Sequence, residues 1–209
     1  MDNYEEIINY INENSDKIIS DLKDESIAVY AFIKSQIKNE PISLSKNYLF
    51  QFIFLNYYGL DRIGFSDEFL KDFFEVFEQY RKKPDKFDLI ETVKRFYEYD
   101  INDKKNYQFS FFTKLYHTID TSKPIYDSNV CRAIGLKLLK KDNKLDQLIE
   151  RYGQICDLYN RIKKEKSLSS TIKKFDNRFK KNGISFNMKL DFIFWQTGKL
   201  KYKERKDNL

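Results

Sequence analysis

Apolar residues recur along this chain with the spacing of helices and almost nowhere with the alternation of strands. In "FSDEFLKDFFEVFEQYRKKP" they fall at Phe69, Leu70, Phe73, Phe74, Val76, Phe77 and Tyr80, a broad stripe along one side of a helix. Ser66 stands where an N-cap accepts backbone N–H bonds, and Asp67 and Glu68 follow in the first turn, where the helix dipole favours anions. Arg81, Lys82 and Lys83 close the run and Pro84 ends it. The same reading predicts about ten helices, roughly at 2–22, 25–38, 45–59, 66–83, 87–99, 108–119, 128–141, 143–166, 168–181 and 186–197.

The run "NYLFQFIFLNYYGL" is apolar nearly all round, which predicts the central buried helix, stopped by Gly59. Its Phe, Ile and Tyr would also suit a strand, but its helical neighbours and the lack of a hairpin partner favour the helix. No internal repeat or low-complexity tract interrupts the pattern. The expectation is an all-α protein, a compact bundle of about ten helices. It would form one domain over residues 1–209, or two packed subdomains at about 1–100 and 101–209.

Composition agrees with this picture. Nineteen Phe and 15 Tyr against 3 Pro and 6 Gly mean few helix breakers and many large rings to pack. The 209 residues are enough to bury a core without staples. Cys131 and Cys156 are far apart, with no CxxC and no neighbouring His, a spacing that fits buried reduced thiols and neither a metal site nor a disulfide framework. The opening "MDNYEEIINYINEN" is acidic and lacks the basic-then-apolar order of a signal peptide. No apolar run reaches the roughly 18 residues of a membrane span, so the expectation is a soluble, cytoplasmic protein with no membrane partner.

Charge is unevenly spread. From Arg161 onward there are fifteen Lys/Arg and five Asp/Glu, a local +10, which leaves about −4 on the first 160 residues. "RIKKEK", "IKKFDNRFKK" and "GKLKYKERK" therefore make the C-terminal quarter the expected contact for an anionic partner, unless they form only a solvated face and a frayed tail. No Walker loop, GxGxxG, HExxH or GxSxG occurs, so nucleotide hydrolysis, nicotinamide chemistry, zinc proteolysis and serine hydrolysis lose their usual signatures. No cofactor and no metal is expected.

One stretch carries candidate chemistry, "FFTKLYHTIDTSKPIYDSNVCRAIG" from Phe111 to Gly135. Pro124 holds the chain extended, Ile125 and Tyr126 can anchor it, and Asp127 stands where it can accept from the amides of Asn129 and Val130. That alone accounts for an aspartate here. The segment "KPIYDSNVCRAIG" also resembles the corresponding stretch of the helix-hairpin-helix DNA glycosylases, the base-excision superfamily that includes the adenine and oxidised-guanine glycosylases. The resemblance implies a glycosylase-like helical fold, base flipping and a role in DNA repair. It also implies that Asp127 is catalytic, either opposing positive charge on the sugar as the base leaves or activating the attacking nucleophile.

The chain departs from that pattern in two ways. The region "INDKKNYQFSFFTKLYH" holds no glycine for a phosphate-gripping hairpin, and nineteen residues before Asp127 stands Gln108 where bifunctional members have lysine. Lys114 is only thirteen residues before Asp127. These departures fit a monofunctional enzyme that cleaves the N-glycosidic bond, or a non-catalytic relative. "FSFFTKLYHTIDTSKPIYDSNV", together with the closing "MKLDFIFWQTGK", is also similar to a group of small bacterial proteins, a likeness that supplies no activity.

Further candidates surround this stretch. Lys114 and His117 are three apart and share a helix face, so they would form a polar cluster if that face looks toward Asp127. Tyr116 and Tyr126 could stack on a base or pack in the core. Asp191 and Trp195 are four apart, and Asp191 reads either as a second pocket carboxylate or as a buried aspartate bonded to the indole N–H or a neighbouring lysine such as Lys189. Hairpin lysines Lys104 and Lys105, with Lys173, Lys174, Arg178, Lys180 and Lys181, are the expected DNA contacts. The functional expectation is a DNA-binding protein with glycosylase-like chemistry. The alternative is a non-enzymatic helical module that binds protein or nucleic acid.

Overall fold

The computed structural model describes residues 3–38, 42–100, 105–137, 144–180 and 183–207. It is all-α: among the described residues there are eleven α-helices and no strand, only an isolated bridge between Asp100 and Lys105. The chain divides into two units, one of residues Met1–Asp24 and Ser122–Leu209, the other of Glu25–Thr121. The first unit is thus built from two stretches that are separate in sequence.

The unit of residues 25–121 contains α3 (Asp24–Lys38) apart from its first residue, α4 (Tyr48–Tyr57), α5 (Asp67–Lys82), α6 (Leu89–Phe96) and α7 (Phe109–Ile119). α5 forms as its sequence predicts, with the Ser66 hydroxyl accepting from the Phe69 amide. Its stripe of Phe69, Phe73, Phe74 and Phe77 is buried against Phe50 and Phe54 of α4, Phe96 of α6, and Phe111 and Phe112 of α7. Phe73 and Phe111 stack with centroids 4.0 Å apart. Each such ring contributes about 1.5–3 kcal/mol by leaving water, so this cluster is the main source of the unit's cohesion.

One charged pair is sunk beside it. Arg81 grips Glu78 with two hydrogen bonds, at 2.7 and 3.0 Å, and Glu78 also accepts from the Leu44 amide at 3.0 Å. Arg81 reaches the carbonyls of Ile37 and Ile42 as well, so the pair holds the chain on both sides of the turn between α3 and α4.

The expectation of a central buried helix at α4 is corrected here. Phe50 and Phe54 are buried, but Tyr48 is 79 %, Leu49 64 % and Phe52 63 % exposed. A helix that is apolar all round has more greasy surface than one neighbouring layer can cover. Gly59 does end it: at φ +63° it lets the Leu60 amide reach back to the Leu55 carbonyl at 2.8 Å.

The other unit contains α1 (Tyr4–Glu13), α2 (Ser15–Ser20), α8 (Ser128–Ala133), α9 (Leu145–Glu165), α10 (Ser169–Arg178) and α11 (Phe186–Asp207). α11 is its axis, with Leu190, Ile193, Phe194, Thr197 and Leu200 buried. Phe194 stacks on Tyr159 of α9 at 5.3 Å, and Phe192 lies 6.0 Å from Phe175 of α10. Beyond Leu200 the helix is held by α1, where the Tyr10 hydroxyl donates to Glu204 at 2.7 Å and the Lys201 ammonium sits 4.6 Å over the Tyr10 ring. This explains why α11 runs past the predicted end at 197.

α8 is shorter than the 128–141 expected. Gly135 takes φ +77°, and the Leu136 amide bonds back to the Cys131 carbonyl at 2.9 Å, a closing motif that the chain builds as soon as glycine permits.

Candidate functional site

Asp127 is the N-cap of α8, in extended backbone, and its Oδ1 accepts from the Asn129 amide at 2.7 Å. It is half-buried. The segment before it is pinned by three side chains: Asn187 donates to the Ser122 carbonyl at 2.5 Å, Tyr152 to the Pro124 carbonyl at 3.0 Å, and the Ile125 amide donates to Asp191 at 3.2 Å. Two of these side chains come from α11 and one from α9, so long-range contacts set where the carboxylate stands.

Asp191 is buried. Besides the Ile125 amide, its Oδ1 accepts from the Tyr159 hydroxyl at 2.9 Å. Burial pushes this carboxyl well above the ordinary carboxylate range; the Ile125 and Tyr159 bonds oppose the shift, and the negative charge of Asp127 adds to it. Burial likewise lifts the Tyr159 hydroxyl well above its usual value, with Asp191 and Asp127 both contributing.

Cys131 and Cys156 are free, and burial pushes each thiol up to about 11. Tyr126, half-buried beside Cys131, is pushed up to about 12, first by burial and then by that thiol. Asp127, Asp191, Tyr159, Tyr126 and Cys131 therefore form one electrostatically linked group within a single unit. The thiols are poor nucleophiles at neutral pH. The side chain at the helix start is thus held by a segment that a second, buried aspartate anchors through the Ile125 amide.

The expected partners of Asp191 are different in kind. The Trp195 indole is turned outward, 37 % exposed, with the Lys199 ammonium 4.3 Å over its ring. Lys189 pairs with Asp176 at 2.6 Å. Tyr159 and the Ile125 amide, far from Asp191 in sequence, take the role assigned to indole or lysine.

Lys114 and His117 belong to the other unit. Lys114 is buried and donates to the Tyr58 carbonyl at 3.4 Å, and His117 is fully buried with its Nε2 3.0 Å from the Tyr30 hydroxyl. Tyr116 is half-buried against Phe87, with ring centroids 4.7 Å apart. Gln108 takes a left-handed φ of 46° at the start of α7. The same unit holds a lysine that the pattern did not flag: burial and the neighbouring Lys38 lower Lys34 to about 8, and its Nζ donates to the Thr118 carbonyl at 2.6 Å.

The basic residues fall into two groups. Lys174 bonds Asp16 at 2.6 Å and Ser15 at 2.8 Å, Arg178 donates to the Ile19 carbonyl, and Lys201 donates to the Ala133 carbonyl at 2.9 Å. These cations hold α10 and α11 in place. Lys163, Lys164 and Lys166 at the end of α9, Lys173 and Lys180 around α10, and Lys199, Lys203, Arg205 and Lys206 on α11 are exposed. Lys105 is exposed and pairs with Glu98 at 2.9 Å. Lys104 and Lys181 lie outside the described residues.

A cavity of about 250 Å³ opens between α1 and α9, lined by Tyr4, Gln154, Asp157, Leu158 and Arg161. The Arg161 guanidinium lies 3.5 Å over the Tyr4 ring there. Asp127 does not line it. Among the described residues no group of His, Cys, Asp and Glu is arranged to hold a metal ion, and no helix is long and apolar enough to cross a membrane.

The chain matches no family model, and neither a curated protein nor a solved structure is significantly similar to it.

Proposed function

We propose that this protein is a nucleic-acid-binding module whose contact face is the basic C-terminal quarter, formed by the end of α9, α10 and α11. The observation that carries the reading is the division of labour among its cations. Lys174, Arg178, Lys189 and Lys201 hold the fold together, while nine others on the same three elements stay exposed. Exposed like charges repel one another and add little to stability. A polyphosphate neutralises them and releases counterions, so affinity falls steeply with salt.

Fluorescence anisotropy with labelled single-stranded and duplex DNA across a salt series tests this. The expected result is a linear fall of log affinity with log salt, with a slope that becomes shallower in a Lys163→Gln/Lys164→Gln/Lys173→Gln variant. Absence of binding at low salt, or a slope untouched by these substitutions, would remove the reading.

A second reading is favoured by the anchoring of the segment that carries Asp127, whose Ile125 amide is held by buried Asp191 at 3.2 Å. On this reading the protein cleaves an N-glycosidic bond, as the resemblance of "KPIYDSNVCRAIG" to the helix-hairpin-helix glycosylases implies. Asp127 opposes the charge developing on the sugar, and Asp191 with Tyr159 fixes the segment that presents it. The test is base release from duplexes carrying modified bases. Asp127→Asn should abolish release without loss of folding, and no release by the wild-type protein from any such duplex would refute it.

A further inference from the structure

We infer that one face of α11 is a stacking platform for single-stranded nucleic acid, built from Trp195, Lys199, Tyr202 and Lys206. This rests on the basic face proposed above and names the form of ligand it takes. The residues are spaced four, three and four apart, which on a helix puts them in one row. Trp195 is 37 % and Tyr202 47 % exposed, while Phe192, Ile193, Phe194 and Leu200 of the same helix are buried. Among the described residues of α11, Trp195 and Tyr202 are the exposed large rings.

Each ring carries cations. Lys199 lies 4.3 Å over Trp195, Lys206 lies 4.9 Å over Tyr202, and the Arg132 guanidinium, which also donates to Asn129 Oδ1, lies 4.8 Å over the same Tyr202 ring. Glu204 is the one carboxylate in residues 195–206, and it accepts from Tyr10. The row is therefore aromatic and cationic together.

Two rings seven residues apart are about 10 Å apart along a helix, so they can hold bases of one strand while the flanking ammonium groups meet its phosphates. Bases stack on rings only when they are unpaired, which selects single strands over duplex. The two rings and their cations offer no hydrogen-bonding pattern matched to one base, so binding tolerates sequence.

Trp195 is the only tryptophan, so its emission reports on this site alone. The full-length chain is titrated with oligothymidylate, oligouridylate, a duplex of equal length and anionic phosphatidylglycerol vesicles. The expected result is saturable quenching by both single strands and weak quenching by duplex; the comparison of the two single strands ranks DNA against RNA. Tyr202→Leu is expected to weaken single-strand binding about tenfold with the salt slope unchanged, and Lys199→Gln to reduce the slope by about one.

Both rings are exposed, and circular dichroism checks that the variants fold. Binding with unaltered Trp195 emission, and with wild-type affinity in a Trp195→Ala/Tyr202→Leu variant, overturns the platform and leaves the basic face standing. No binding to any nucleic acid removes both. Quenching by vesicles alone assigns the row to a membrane surface and overturns it.

Discussion

Gly198 of α11 lies directly against the backbone of Asn129 in α8: a Cβ at residue 198 would come within 2.0 Å of the Asn129 carbonyl oxygen. No flexible side chain can yield there, because the obstructing atoms are main chain. The approach brings α8, and with it the Asp127 cap, onto the axis of the unit. Gly198→Ala is expected to cost about 1–3 kcal/mol by forcing the helices apart, read as a lower urea midpoint with an unchanged m-value. Gly153, in the middle of α9, has nothing within 4 Å of a built Cβ. Gly153→Ala should therefore be neutral or stabilising by up to about 1 kcal/mol.

Asp127 separates capping from charge. Asparagine caps a helix about as well as aspartate, so Asp127→Asn should keep the unfolding free energy within about 0.5 kcal/mol of the wild type. Asp127→Ala leaves the Asn129 amide without its 2.7 Å acceptor and should cost about 0.5–2 kcal/mol. A stability loss shared equally by both variants would mean that the charge, and not the hydrogen bond, supports α8.

Arg81 makes a prediction of larger size. Its side chain is 3 % exposed and that of Glu78 11 %, so removing Arg81 leaves the buried Glu78 with only the Leu44 amide and the largely exposed Lys82. Burial raises the Glu78 carboxyl, but the Arg81, Leu44 and Lys82 hydrogen bonds outweigh it and hold the group below its usual value. Arg81→Ala should cost about 3–5 kcal/mol. Arg81→Lys should recover only part of this, because an ammonium cannot supply the two-pronged grip. Chemical denaturation of the two variants measures both.

Lys166 ends α9 in the left-handed region at φ 55°, a conformation that costs a side-chain-bearing residue about 1–2 kcal/mol and glycine almost nothing. Lys166→Gly is expected to leave the melting temperature unchanged or raise it slightly, and calorimetry decides. Lys166→Val should lower it, since a β-branched side chain is worst placed there.

Local signals carried the sequence reading as far as local physics reaches. Ser66, Pro84, Gly59 and the Phe69–Phe77 stripe announce their roles through neighbours a few residues away, and α5 forms where they put it. The exposed row on α11 was not read, because the pattern ended that helix at 197 and set Trp195 beside Asp191. What could not be read is partnership at a distance. Nothing near Asp191 points to Tyr159, thirty-two positions away. Nothing in "NYLFQFIFLNYYGL" reveals that its neighbours would leave Tyr48, Leu49 and Phe52 uncovered. The Asn14 break between α1 and α2 is similarly silent, because the Asn14 amide still bonds Tyr10 while the residue itself leaves the helical range at φ −96° and ψ 10°.

The buried acid Asp191 gives the pH dependence a sign. Burial raises its folded-state pKa above that of the unfolded chain, which loses the same proton near pH 4. The folded state therefore holds one more proton over the interval between the two values. Stability from this group is complete below about pH 4 and is lost as pH rises toward the raised value. The slope is opposite to that of ordinary paired carboxylates such as Glu78, so the two groups can be told apart in one titration. Asp191→Asn retains an oxygen for Tyr159 and the Ile125 amide but has no proton to lose. It should flatten this falling limb and leave stability at neutral pH equal to or above the wild type. Urea midpoints measured from pH 4 to pH 8 for both proteins give the answer. Identical slopes would show that the carboxyl titrates normally and that the Tyr159 hydrogen bond accommodates its charge.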